Sequence, residues 1–391
     1  MPKSRTSADP SPPRLIAWEV TRSCPLACKH CRAAARPAPY PGELTTEEGF
    51  RLLDNTASFA KPTIILTGGE PMLRPDIYDL AGHARKLGLP VVMAPCGLLV
   101  DDASAARMIE AGISCISISI DGATAASHDA FRSVAGAFDG AVRGIQAARR
   151  AGLEFQINTT VTRHNLAELP AILDLAARLG AGVWNPFLLV PTGRGRELAD
   201  QEISPEDYEK TLAWLADQSA RASLRIRVTC APHYTRILHT RRAQQTRDSH
   251  LFSDTGSPGQ ERGGSGDPPH GREAGGESGL VPPHEHPGGK SGAKGCLGGK
   301  EFAFISHVGK VQICGFLEIE CGDLKQEGFD FRRIWRDSDV FRRMRDVDGY
   351  HGKCGVCEFR RLCGGCRARA FAMTGDDLAA EPFCVYQPRG R

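Results

Sequence analysis

Cys24-Pro25-Leu26-Ala27-Cys28-Lys29-His30-Cys31 sets three thiols within eight residues, directly after the strand-like run Leu15-Ile16-Ala17-Trp18-Glu19-Val20. A closed structural zinc site takes four ligands, whereas three cysteines at spacings of four and three leave one metal position unfilled. On these eight residues alone two readings stand. One is a fragment of a zinc site; the other is a cubane iron–sulfur cluster held by three thiolates, with its fourth iron open to a ligand. Working outward, the next apolar run, 63–66, leads into Thr67-Gly68-Gly69-Glu70-Pro71. Glycine has no Cβ, so Gly68 and Gly69 either expose amides to a closely approaching ligand or make a tight strand-to-helix turn.

Further short apolar runs at 91–94, 115–120, 155–161 and 183–188 read as strands rich in β-branched residues, buried on both faces. Between them, apolar residues recur at helical spacing around 50–53, 77–87, 105–109, 138–148 and 169–179. Strands alternating with helices imply a parallel sheet with right-handed crossovers. A helix at 208–219 and a strand-like run at 224–229 follow.

The chain has 391 residues and a formal net charge of +3, which gives no footprint for nucleic acid. Residues 1–13 are polar and Pro/Ser-rich, read as disordered, with no apolar core of a signal peptide. No run approaches the length of apolar sequence that a membrane span needs. These features predict a soluble cytoplasmic protein. Fourteen cysteines are then poorly explained as disulfides and better as metal ligands. Between 249 and 295, Gly and Pro make up 19 of 47 residues, the composition of an insertion without its own fold. Four histidines fall within it, and no role is assigned to them.

CxxxCxxC followed by Gly-Gly-Glu-Pro resembles the radical S-adenosylmethionine (SAM) superfamily. That resemblance implies a partial (β/α)6 barrel over 14–230, with its motifs at the C-terminal ends of the strands. It makes Cys24, Cys28 and Cys31 the ligands of a SAM-binding [4Fe-4S] cluster, the catalytic centre, and Gly68, Gly69 and Glu70 the SAM-binding segment. His128-Asp129-Ala130-Phe131-Arg132 resembles the segment whose arginine pairs with the SAM carboxylate, a task suited to a planar guanidinium. Ser119 and Asn158 follow as further SAM contacts. Cys96, where relatives often carry Asn, departs from the pattern.

The last hundred residues hold eight cysteines: C-x12-G-x4-C from Cys296 to Cys314, then Cys321, then C-x2-C-x5-C-x2-C from Cys354 to Cys366, then Cys384. Alone, the second pattern reads equally as a zinc knuckle. Beside the first motifs it resembles the SPASM extension, which carries auxiliary [4Fe-4S] clusters and would occupy 296–391, joined to the barrel by a connecting segment, 231–295. The resemblance gives Cys354, Cys357, Cys363 and Cys384 to one cluster, and Cys296, Cys314 and Cys366 to the other, with Cys321 as its fourth ligand.

Ile16-Ala17-Trp18-Glu19-Val20-Thr21-Arg22-Ser23, Met93-Ala94-Pro95-Cys96-Gly97, Thr229-Cys230-Ala231-Pro232-His233-Tyr234 and Cys314-Gly315-Phe316-Leu317 together resemble the haem synthases of the sirohaem-dependent pathway. Membership there implies oxidative decarboxylation of two propionates of iron-coproporphyrin III to vinyl groups, giving haem b. SAM is cleaved to a radical that takes a propionate hydrogen, and a flavodoxin- or ferredoxin-type donor supplies low-potential electrons. Arg194, Arg196 and Arg236 are candidate partners of the propionates, and His233 and Tyr234 of the macrocycle. Competing readings are the haem d1 branch, a SPASM peptide maturase, and a non-catalytic iron–sulfur or zinc module.

Overall fold

The computed structural model describes residues 9–253 and 295–389; residues 1–8 and nearly all of the Gly/Pro-rich insertion lie outside them. Seven strands pair in parallel in chain order: β1 (Leu15–Thr21), β2 (Thr63–Gly68), β3 (Val91–Met93), β4 (Ile113–Ser119), β5 (Glu154–Val161), β6 (Val183–Leu188) and β7 (Arg225–Ile226). The first six lie within a few residues of the runs read from sequence. The seventh is shorter than the run at 224–229, although Thr229 still bridges to Phe187.

Helices α1 (Thr46–Phe59), α2 (Ile77–Lys86), α3 (Asp102–Glu110), α4 (Ala125–Arg132), α5 (Ala137–Ala151), α6 (Leu169–Leu179), α7 (Pro205–Ser219) and α8 (Tyr234–Ser253) follow the strands. Capping boxes start three of them: Thr45 with Glu48, Asp101 with Ser104, and Thr124 with Ser127. Left-handed Gly152 and Gly180 stop α5 and α6. The core lies between strands and helices, where Trp18, Ile64, Ile116, Ile157 and Trp184 are buried under Leu53, Leu80, Ile145 and Ile172.

Past the insertion the chain returns to the sheet. β8 (Phe302–Ile305) pairs in parallel with β1, Leu15 opposite Phe302 and Trp18 opposite Ile305. β9 (Lys310–Gln312) and β10 (Gly322–Asp323) extend it antiparallel, giving the order β10-β9-β8-β1-β2-β3-β4-β5-β6-β7. The sequence reading divides the barrel from the Cys-rich extension, yet hydrogen bonding runs unbroken between them. Helices α9 (Phe331–Asp337), α10 (Asp339–Arg345), α11 (Gly352–Val356) and α12 (Arg367–Thr374) complete the extension. At the other end, Trp335 Nε1 donates to the Ser11 carbonyl at 3.0 Å and Pro13 is buried, so the chain is already ordered before residue 14. No helix among the described residues is long and apolar enough to cross a membrane.

Candidate functional site

The cysteine loop leaves β1 at the C-terminal end of the sheet, and the Gly-Gly-Glu turn fastens it there. Gly69 N–H donates to the Thr21 carbonyl at 2.8 Å and Glu70 N–H to that of Ser23 at 2.7 Å. A Cβ at Gly68 would stand 2.1 Å from the Thr21 oxygen, and one at Gly69 2.3 Å from that of Ser23, so both crossings need glycine. The Glu70 carboxylate is wholly buried and accepts from Met72 N–H at 2.9 Å and Cys96 N–H at 2.6 Å. Burial pushes its pKa up, against those hydrogen bonds. Its side chain therefore holds the turn to the loop that begins at Cys96.

Cys24 and Cys28 are buried and Cys31 half-buried, in an apolar pocket with Leu26, Ala33, Ala35 and Ala137. Burial pushes the Cys24 thiol up to about 12, the neighbouring Cys28, Glu70 and Cys31 adding to it. A thiolate in such a place needs a bound cation to offset its charge, which fits metal ligation.

Arg132 stands at this loop, donating from Nη1 to Cys28 Sγ at 3.4 Å, while Nη2 is ion-paired with Asp121. Asp121, fully buried, also accepts from Thr160 N–H at 2.6 Å. The guanidinium expected to hold a SAM carboxylate is thus already committed on two nitrogens, and only Nε is buried without a partner among the described residues. His30 stacks flat on Phe131 at 4.5 Å, and Phe131 on His164 at 5.5 Å, pinning the loop to α4. Ser119 lies opposite Asn158, and Asn158 opposite Asn185, so the two predicted contacts share one polar row across β4, β5 and β6.

Of the expected substrate residues, Arg194 and Arg236 are engaged by protein groups, and His233 and Tyr234 are buried. Arg194 Nε donates to the Cys28 carbonyl at 2.8 Å and Nη1 to that of Ala35 at 2.6 Å. It braces the cysteine loop instead of standing free on a solvated one. Arg196 is exposed, 3.6 Å from Glu318. Arg236 grips Glu209 at 2.6 Å, and Tyr234 is buried. His233 is fully buried, its ring tilted against Tyr208 with centroids 4.7 Å apart. His233, Tyr234 and Arg236 are buried where α8 begins, and Arg194 is half-buried against the cysteine loop, placements invisible in the local sequence.

The C-terminal thiols fall into two groups. Cys354, Cys357, Cys363 and Cys384 line one cavity with His233, Arg236 and Lys353. Cys314 is raised by burial, then by the nearby Cys296 and Cys366. Cys230 lies near these three: burial pushes its thiol well up, and Cys366, Cys314 and Cys296 add to the rise, opposed by Arg369. Cys321 has different neighbours. Burial pushes it up to about 12, opposed by Ser338, Arg343 and Arg345. The resemblance makes Cys321 the fourth ligand of the group of Cys296, Cys314 and Cys366; in the fold Cys230 also feels all three of those thiols, from across the insertion.

Arg369 makes that approach possible. Its guanidinium donates to the carbonyls of Cys230 at 3.0 Å and Leu189 at 2.8 Å, and meets Glu381 at 3.4 Å, tying α12 to the ends of β6 and β7. Glu381 accepts from Cys366 N–H at 2.8 Å. Cys230 itself sits in the left-handed region, φ 60°. Glu19, Asp121, Arg369 and Glu381 carry much of the site, yet as single charges in apolar stretches they give no signal in sequence beyond being charged where a core is expected. Among the described residues no three donors converge on a point suited to one ion. A single ion wants all its donors about 2 Å from one centre, whereas a cubane offers four separate corners.

Residues 18–176 match the family model of the radical SAM superfamily. Across 98% of this chain and 96% of the relative, it is 48% identical to the AdoMet-dependent heme synthase of Nitratidesulfovibrio vulgaris. The chain belongs to the radical SAM superfamily. This radical SAM enzyme is also 30% identical to the pre-heme d1 synthase of Dinoroseobacter shibae, over 96% of its own length and 89% of that protein. Its fold resembles Streptococcus suis SuiB bound to S-adenosylmethionine, with a TM-score of 0.68 at 14% identity, covering 96% of this chain and 78% of the other.

Proposed function

We propose that the protein makes haem b from iron-coproporphyrin III, converting two propionates to vinyl groups. The observation that carries this reading is the 48% identity to an AdoMet-dependent heme synthase, extending through barrel and Cys-rich extension alike. The haem d1 relative matches over a similar length at 30%.

Cys24, Cys28 and Cys31 would hold the [4Fe-4S] cluster, with Gly68, Gly69, Ser119 and Asn158 beside SAM. When bound, cluster and SAM supply one electron and a carbon radical able to take a hydrogen atom. The chain's part is positioning. Glu70 and Arg194 fix the cysteine loop, Arg132 places a positive charge at Cys28, and the apolar shell of Leu26, Ala33 and Ala35 excludes water. Removal of a propionate hydrogen followed by loss of CO2 leaves a vinyl group and releases one electron. The two thiol groups of the extension would bind auxiliary clusters that take it, with Cys230 joining Cys296, Cys314 and Cys366. A flavodoxin- or ferredoxin-type protein would feed the first site, and free thiols in such number suit the cytoplasm.

The test is anaerobic incubation of reconstituted protein with SAM, reductant and iron-coproporphyrin III, followed by mass spectrometry. The expected product has lost two carboxyl groups. An unaltered macrocycle alongside SAM cleavage would overturn the porphyrin assignment.

A further inference from the structure

His233 and Arg236 lie one helical turn apart at the start of α8, and both line the cavity of Cys354, Cys357, Cys363 and Cys384. The His233 ring is fully buried, and neither of its nitrogens has a partner among the described residues. Arg236 is held by Glu209 through Nη2 and stacked over Tyr386 at 4.9 Å, which leaves its buried Nε equally unpartnered. Two buried N–H groups beside four thiols are costly unless something in the cavity accepts hydrogen bonds. An imidazole keeps at least one N–H in either charge state, so the donor is present throughout.

We propose that His233 and Arg236 donate hydrogen bonds to the sulfurs of the cluster that Cys354, Cys357, Cys363 and Cys384 hold, and so raise its reduction potential. This rests on the reading of that thiol group as a cluster site. Reduction adds negative charge to the sulfurs, and donors aimed at them stabilise the reduced form. Beside the group of Cys296, Cys314 and Cys366, Arg369 donates no hydrogen bond to a sulfur among the described residues. It is taken up by the carbonyls of Leu188, Leu189 and Cys230 and by Glu381. Cys296 N–H meets the Cys363 carbonyl at 3.2 Å, joining the two groups directly. A raised potential makes the group of Cys354, Cys357, Cys363 and Cys384 the better acceptor of the electron released on decarboxylation.

The test is an EPR-monitored redox titration of reconstituted full-length protein, comparing wild type with His233→Phe, His233→Asn and Arg236→Met. Phenylalanine keeps the ring on Tyr208 but removes the donor; asparagine restores an N–H. The expected result is a midpoint potential of one auxiliary signal shifted to lower values in His233→Phe and Arg236→Met and returned toward wild type in His233→Asn. Partial iron loss leaves the readout intact, because the midpoint comes from the clusters that remain. An unshifted midpoint in both His233→Phe and Arg236→Met would overturn the proposal. Cys354→Ala together with Cys384→Ala checks the underlying reading separately: retention of every auxiliary signal in that variant means that no cluster sits there.

Discussion

Glu19, at the end of β1, is bonded to His307, in the turn between β8 and β9, with Oε2 3.0 Å from Nδ1. The same carboxylate meets Arg32 and Arg22, each at 3.0 Å, so one buried charge joins the first strand, the cysteine loop and the Cys-rich extension.

That junction makes stability depend on acid. Burial opposes the Glu19 charge, but Arg32, His307 and Arg22 outweigh it and hold its pKa at about 2, against an ordinary 4.5. The folded pKa is depressed, so the stabilisation is present above pH 4.5 and lost as pH falls toward 2. It amounts to a few kcal/mol at about 1.4 kcal/mol per pKa unit. Glu19→Gln is expected to be less stable than wild type at pH 7 and to approach it near pH 2. Denaturant midpoints across that range measure the difference, and a constant gap would refute the assignment.

Cys230→Ser and Cys321→Ser separate the two candidates for the fourth thiol of the group of Cys296, Cys314 and Cys366. Iron content and EPR of reconstituted protein are expected to fall or change in Cys230→Ser and to stay as wild type in Cys321→Ser. The reverse pattern would restore Cys321.

Alanine at Gly69 would drive a Cβ to 2.3 Å from the Ser23 oxygen and 2.5 Å from that of Arg22. Backbone atoms cannot swing aside as a side-chain tip can, so the loop must move, at a cost of about 1–3 kcal/mol or more. Gly69→Ala is expected to lose SAM binding, read as loss of the SAM-induced change in the EPR signal. Gly82 provides the control, since a Cβ there meets nothing within 4 Å.

Arg194→Ala removes the donors to the Cys28 and Ala35 carbonyls, leaving part-buried acceptors unpaired at about 1–3 kcal/mol. The expected effect is faster iron loss from the first cluster under a chelator, with Arg196→Ala unaffected because Arg196 lies exposed.

Most of strands β1 to β6 were legible as short apolar runs such as Thr63-Ile64-Ile65-Leu66, although β2 and β5 bury only alternate residues and not both faces as expected, and α5 and α6 were legible because their apolar residues recur on one face. Helix α4 escaped that reading: it is short and set by a Thr124/Ser127 capping box more than by an apolar stripe. The thiols of the first motif were legible because all three lie on one loop. Long-range geometry was not. Cys230 and Cys366 stand 136 residues apart in sequence, and the buried Arg369, three residues past Cys366, bonds to the Cys230 carbonyl across that gap. Likewise nothing local in Arg194 or Arg236 tells a substrate-facing arginine from one that braces backbone.

The pairing of β8 with β1 has a temporal side. Leu15 waits 287 residues for Phe302, and at 5–20 residues per second that is roughly a quarter of a minute to a minute of synthesis. Through that interval the nascent chain shows an unpaired strand flank to its surroundings, an invitation to misassembly. Cutting the protein before residue 300 would make that exposure permanent, so the barrel is not expected to survive as a well-behaved fragment.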